Sequence, residues 1–298
     1  MVSIQLWDVT TRRILVGAVV ITALLPAPGA NAVDIPSKPQ RIVSLNLCAD
    51  ELVLRLADIS NIASVTWLSR NPDNSNVAAL AAQVPVNHGL AEEIIPSNPD
   101  MVIAGLYTTR TAAALLRRTN TPLVELAVPR DLDEIRAQIR QVANVVGERQ
   151  RGEDIVAGMD ARLGQIAPIA SNKRPRALIL NPNGFTTGAG SLVDTIIRAA
   201  GMVDVAAEFH QGGGSGQVPL ETVVTSGLDV LILNNRNDES PSLATELLHH
   251  PILAELPKQT HLVTLPSRLW TCGGPAVVEA IERLSRTAAD VVAGAGPE

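Results

Sequence analysis

The sequence is poor in rings, thiols and imidazoles. Aromatic residues make up 2% of the 298 residues, cysteine occurs twice and histidine five times. A core built on stacked aromatics is excluded, and so is a disulfide-dense scaffold. Five scattered histidines give no source for a three-histidine metal cluster: only His88 follows a predicted strand, His249 and His250 share a predicted helix, and His210 and His261 stand alone. Long apolar runs are scarce too. The one that stands out, Ile14 to Leu25, follows Arg12 and Arg13 and precedes Pro26, Pro28 and the small-residue site Ala30-Asn31-Ala32. That order predicts a cleavable export signal over residues 1–32. The run is short for a bilayer core of about 30 Å. Without those residues the chain carries 22 basic against 29 acidic side chains, a net charge of −7, which argues against nucleic acid as a partner. No cysteine follows the cleavage site directly to carry lipid, so the expected product is soluble and periplasmic, in an oxidising compartment where two cysteines can pair.

What is present is alternation. Apolar runs at Arg41–Asn46, Ile62–Trp67, Val84–Asn87, Met101–Ala104 and Leu123–Ala127 predict strands, with helices between them, and the pattern resumes at Arg176–Asn181. Strands alternating with helices imply parallel sheets. Between the halves, Leu132 to Ala167 holds helical spacing through Ile135, Ile139, Val142, Val146, Ile155, Met159, Leu163 and Ile166. This predicts a single helix about 54 Å long, bent where Gly147 and Gly152 fall. The halves also resemble each other: "EEIIPSNPDMVI" from Glu92 lies over "ETVVTSGLDVLI" from Glu221 without a gap, at an offset of 129. The fold class expected is therefore α/β, two doubly wound lobes joined by a single long α-helix. The lobes span 33–130 and 171–298 and the linking segment 131–170.

Ligands of parallel sheets bind beyond the carboxyl ends of the strands. The residues there are Asn46 and Cys48; Trp67 and Arg70; His88; Tyr107 and Arg110; Asn183 and Phe185; Arg236; and Arg268, Trp270 and Cys272, the last three within "SRLWTCGG". Beyond the export signal the chain has five aromatics, and four of them, Trp67, Tyr107, Phe185 and Trp270, fall in these loops. Flat surfaces facing a ligand are the expectation. Arg70, Arg110, Arg236 and Arg268, in an acidic chain, suggest that the ligand is an anion. Cys48 and Cys272 are either a disulfide across the cleft or free thiols, soft metal ligands or, with His88, the centre of an exported thiol enzyme. The run Gly212 to Gly216 lacks the spacing of a nucleophile elbow or a dinucleotide loop and reads as a flexible loop.

With "PQRIVSLNLCADELVLRLAD", "AEEIIPSNPDMVIAG", the linking helical stretch and "PLETVVTSGLDVLIL" in this order, the chain resembles the periplasmic binding proteins that carry ferric siderophores, haem or cobalamin to ATP-driven importers. The resemblance implies two lobes, little closure on binding and no catalysis. It also implies docking on the importer permease through an acidic residue of each lobe, at the positions of Glu92 and Glu221. Expected from it are a monomer with no resident cofactor or metal, whose cargo is an iron complex (ferric siderophore or haem) or alternatively a corrinoid.

Overall fold

The computed structural model describes residues 38–107, 110–119, 121–209, 215–235 and 246–294. The expected export signal lies outside these residues, as do Arg236, His210 and most of the Gly212–Gly216 run. The described residues belong to one compact unit, 37–298.

The first sheet is wholly parallel. Its strands β1 (Ile42–Ser44), β2 (Ile62–Thr66), β3 (Val86–Asn87), β4 (Met101–Gly105) and β5 (Leu123–Leu126) lie in the order β3-β2-β1-β4-β5. Helix α1 (Leu47–Leu56) follows β1 directly, capped by Asn46, whose Oδ1 accepts from the amides of Cys48 and Ala49 at 3.0 and 3.1 Å. The second sheet contains β6 (Arg176–Leu180), β8 (Val203–Asp204), β10 (Val230–Asn235) and β11 (His261–Pro266), ordered β11-β10-β6-β8 and again parallel. A two-stranded antiparallel ribbon, β7 (Phe185–Thr186) with β9 (Gly216–Gln217), stands apart from both sheets.

The repeat seen in the sequence is structural. Helix α3 (Ala91–Ile94) leads into β4, and helix α9 (Leu220–Thr225) leads into β10. In each unit a serine hydroxyl, Ser97 or Ser226, donates to the carbonyl three residues back at 2.7 Å. The next residue, Asn98 or Gly227, turns the chain with φ of +47° or +65°. An aspartate then accepts from the amide of the arginine that precedes or opens the neighbouring strand, Asp100 from Arg41 at 2.9 Å and Asp229 from Arg176 at 2.8 Å. Matching β4 to β10 in this way makes β2-β1-β4-β5 and β8-β6-β10-β11 the same order.

The linking segment departs from the expected single rod. It consists of two helices, α5 (Leu132–Val145) and α6 (Arg149–Leu163), folded back on each other. Gly147 takes φ +77° and the amide of Glu148 closes on the carbonyl of Ala143 at 2.7 Å, which terminates α5. Gly152 then lets the helices approach, because a Cβ there would lie 2.4 Å from the Cβ of Ala143. Arg140 with Glu153 at 2.8 Å and Arg136 with Asp160 at 2.6 Å confirm the antiparallel course. The 3.6-residue spacing continues across the turn because both helices bury their apolar stripes in the same core.

That core is shared. Ile42, Ile103 and Leu52 of the first lobe, Ile139, Val156 and Met159 of the hairpin, and Ile179, Ile196 and Ile281 of the second form one buried cluster. The last of these lies on the C-terminal helix α10 (Val277–Ala293). Separate clusters cover the other face of each sheet. Swinging the lobes apart would expose apolar surface at about 25 cal/mol per Å². No described helix is long and apolar enough to cross a membrane.

Candidate functional site

The two sheets present their carboxyl ends to each other, and a covalent bond fixes this. Cys48, at the start of α1 after β1, is joined to Cys272, after β11, with a Cα separation of 5.1 Å. Neither thiol is free, so neither serves as a metal ligand or nucleophile in this state. Noncovalent ties run alongside. Asn76 accepts from Arg268 Nη1 at 2.9 Å and donates to the Arg268 carbonyl at 2.7 Å. The Arg130 carbonyl accepts from Thr195 Oγ1 at 2.9 Å, and Gly273 lies so close to Pro129 that a Cβ there would be 2.0 Å from its Cγ.

Around this seam the aromatic residues divide. Trp67, Tyr107 and Phe185 are 53%, 66% and 46% exposed, at the ends of β2, β4 and β6. Trp270 is not an open platform: it is 5% exposed, belongs to the shared core and donates its indole N–H to Asn234 Oδ1 at 3.2 Å. Asn234 in turn donates to Asn181 at 2.6 Å, and Asn181 donates to the Phe185 carbonyl at 3.2 Å. Trp270 therefore supports the second wall from behind. Exposed aliphatic residues that the sequence did not single out, Leu68, Leu90, Leu106 and Val128, join the rings on the first lobe. Given the strand order, they line the sheet edge in the sequence Leu90, Trp67 and Leu68, Cys48, Leu106 and Tyr107, Val128. Five strands at about 4.8 Å spacing set its outer members about 19 Å apart. At one end Tyr107, Leu106, Val128 and Gln138 line a concavity of about 620 Å³.

The arginines are placed differently from the expectation. Arg70 donates to the carbonyls of Ala81 and Val84 at 3.3 and 2.7 Å, pinning the turn that carries Trp67. Arg268 is engaged by Asn76. Arg110 opens helix α4 (Arg110–Arg118) after β4. His88 lies beside Trp67, ring centroids 6.5 Å apart, and its Nδ1 and amide both meet the Glu93 carboxylate, at 3.0 and 2.6 Å. That pairing holds the Glu93 carboxyl below its usual range, the backbone amide of His88 contributing most. Asn46 is spent as a helix cap, and Asn183 sits in the left-handed region at φ +60°, its carbonyl accepting from Gln217. Beneath the site two carboxyls are buried. Asp50 is pushed up to about 6 by burial against hydrogen bonds from Ser44, Thr66 and Ser69. Glu51 is also raised by burial, opposed by Arg55. Asn76 and Asp50 carry no local signal, since their partners Arg268 and Thr66 lie on other elements, and Glu93 is marked out only by its bond to His88 in the loop before its helix. No group of three or more His, Cys, Asp or Glu among the described residues could hold a metal ion.

Facing parallel sheets linked by an apolar core, with an open wall of rings, form a surface on which a ligand can be held. A family model described as periplasmic binding protein matches residues 42–269. The chain belongs to that family. As a periplasmic binding protein it is similar to a cobalamin-binding protein of Halobacterium salinarum, 21% identical over 226 residues, 75% of this chain and 61% of that one. The chain thus spans less than two thirds of that relative's length. Among solved structures it is similar to the periplasmic heme-binding protein RhuT from Roseiflexus sp. RS-1 in apo form, with a TM-score of 0.67 and 25% identity over 85% of this chain and 99% of that one. The periplasmic vitamin B12 binding protein BtuF of Vibrio cholerae shares the fold at a TM-score of 0.63 and 17% identity, over 85% and 98% of the two chains. The family is periplasmic and binds cargo rather than transforming it.

Proposed function

We propose that this periplasmic binding protein captures an iron complex, a haem or a ferric siderophore, between its lobes and delivers it to an ATP-driven importer. The observation that carries the reading is the row of exposed rings and aliphatic side chains, Trp67, Tyr107 and Phe185 foremost, at strand ends that the Cys48–Cys272 bond holds opposite one another. Stacking on such rings suits a flat macrocycle. Glu93 engages Nδ1 of His88, which leaves Nε2 as the nitrogen available to an iron centre next to Trp67. A corrinoid is the second reading, favoured by one observation: Arg70 and Arg268 are already bound to protein acceptors, which weakens the case for an anionic cargo. Delivery would use Glu92 and Glu221. Both are exposed and occupy the second position of equivalent short helices, so the two lobes offer matched carboxylates to a permease.

The test is titration of the purified mature protein with hemin, a ferric hydroxamate and cyanocobalamin, followed by absorption and tryptophan fluorescence. Binding of hemin or the hydroxamate, weakened at least tenfold by W67A, supports the first reading. Binding of cyanocobalamin alone turns it to the second. Binding of none of the three, or full affinity in W67A, overturns both.

A further inference from the structure

Trp67 owes its position to a buried carboxylate. Strand β2 ends at Thr66 and the chain passes at once into a 3-10 turn, Trp67–Arg70, which carries the exposed ring. Asp50, fully buried in α1, lies under this junction. Its carboxylate accepts from the Thr66 amide at 3.1 and 3.2 Å and from the Thr66 hydroxyl, while Ser69 Oγ donates to the Thr66 carbonyl at 2.7 Å. The far side of the turn is held by Arg70 on the carbonyls of Ala81 and Val84. Asp50 itself is placed by the first turn of α1, two residues after Cys48, which is bonded to the other lobe. Nothing in the binding role described above requires an ionisable group at this depth. A carboxylate that takes both an N–H and an O–H from one residue fixes that residue's orientation, since both of its oxygens serve as acceptors.

We infer that Asp50 is the positioning residue for the Trp67 platform, and that gain of a proton by Asp50 releases the platform and weakens cargo binding. The inference rests on the proposed role of Trp67. A protonated carboxyl donates through one oxygen, so the Thr66 hydroxyl must turn from donor to acceptor and the Thr66 amide keeps a bond to a neutral oxygen in place of a charged one, which weakens the hold on the turn. The groups facing Asp50 are the hydroxyls of Ser44, Thr66 and Ser69, and no charged side chain opposes its protonation. Its neighbour Glu51 is turned to Arg55 and Asn76. Burial therefore sets the titration, to about 6, so release falls within a mildly acidic range. Near Trp67 the other ionisable groups are His88 and its partner Glu93.

Because the His88 ring stands against Trp67 and contributes to its emission, the experiment uses the mature protein carrying H88Q, with H88Q/W67F subtracted to remove Trp270. Acrylamide quenching of Trp67 is followed from pH 7.5 to 5. The expected result is a rise in quenching with a midpoint near pH 6 that disappears in H88Q/D50N. A flat profile in H88Q, or the same midpoint in H88Q/D50N, overturns the inference without touching the proposed cargo. In the His88 background, affinity for whichever of hemin, ferric hydroxamate or cyanocobalamin binds is expected to fall about tenfold in D50N, the equivalent of one hydrogen bond to a charged acceptor. T66V, which removes only the hydroxyl donor, is expected to show part of this loss. If W67A weakens binding and both D50N and T66V leave it whole, Asp50 has no positioning role while the cargo reading stands. If W67A has no effect, the cargo reading fails.

Discussion

Replacing Cys48 and Cys272 by serine tests how much of the lobe arrangement is held covalently. The bond closes a loop of 224 residues. In the chain-entropy description a loop of that length constrains the unfolded ensemble by about 5 kcal/mol, the ceiling of the effect, with residual structure in the unfolded chain lowering it toward 3. For a chain of this size 1 kcal/mol corresponds to roughly 2 °C in Tm, so C48S/C272S should melt about 6–10 °C below the wild type. The native arrangement itself should survive. The shared core, the Asn76–Arg268 pair and the bond from Thr195 Oγ1 to the Arg130 carbonyl at 2.9 Å still join the lobes. Urea unfolding of wild type and variant, each with and without reductant, measures the difference, and reductant should move only the wild type. Titration of the unreduced wild type in denaturant should find no free thiol. A stability difference below about 1 kcal/mol would refute the reasoning, because a link between the two lobes cannot be that weak unless the unfolded chain already holds them together.

G273A places a methyl group where Pro129 Cγ stands 2.0 Å away, so the seam must shift; a loss of about 1–3 kcal/mol in urea unfolding is expected. Asp204 is raised to about 6, chiefly by burial, and its Oδ2 is buried without a partner. Its folded form holds a proton that the unfolded chain has lost, so stability falls as pH rises from about 4 to 6 and is level above. D204N should remove that slope and stabilise the protein at pH 7 by about 1 kcal/mol, the full shift being discounted because the group is partly exposed; chemical unfolding at pH 4.5 and 7 compares the two. E92A/E221A should keep cargo affinity within about twofold while cargo-dependent ATP hydrolysis by the reconstituted importer collapses, each single variant losing part.

Strands and repeat were legible because their causes are local. Parallel strands buried on both faces read as apolar runs such as Ile42-Val43-Ser44, and the turn before β4 or β10 is set by residues within a few positions of one another. The 132–167 segment shows where local reading stops. Both helices satisfy one helical period, and the cue to a reversal, Gly147 in a left-handed turn beside the close approach at Gly152, reads equally well as a bend. Site residues divide along the same line. That Trp67, Tyr107 and Phe185 lie open at strand ends follows from strand positions. That Trp270 is buried depends on Asn234, 36 residues away. The commitment of Arg268 depends on Asn76, 192 residues away. A guanidinium in a loop announces a charge, and the partner that satisfies it comes from the tertiary fold.

The duplicated scaffold explains why the site can be lopsided. Matching turns before β4 and β10 place Glu92 and Glu221 at equivalent positions of two lobes, an equivalence that the proposed docking on a permease would require to be kept. Nothing of the kind constrains the strand ends. There the first lobe carries Trp67, Leu68, Leu90, Leu106, Tyr107 and Val128, while among the described residues of the second only Phe185 is a large exposed apolar side chain in such a loop. Aromatic Trp270, which could have balanced them, is turned into the core. On the proposed reading the first lobe offers the cargo its broad apolar face, and the second chiefly fixes the opposing edge through Cys272 and the asparagine chain behind Phe185. Cargo affinity should accordingly be more sensitive to W67A than to F185A, because burial of a ring against an extended neighbouring surface contributes more than burial of an isolated one.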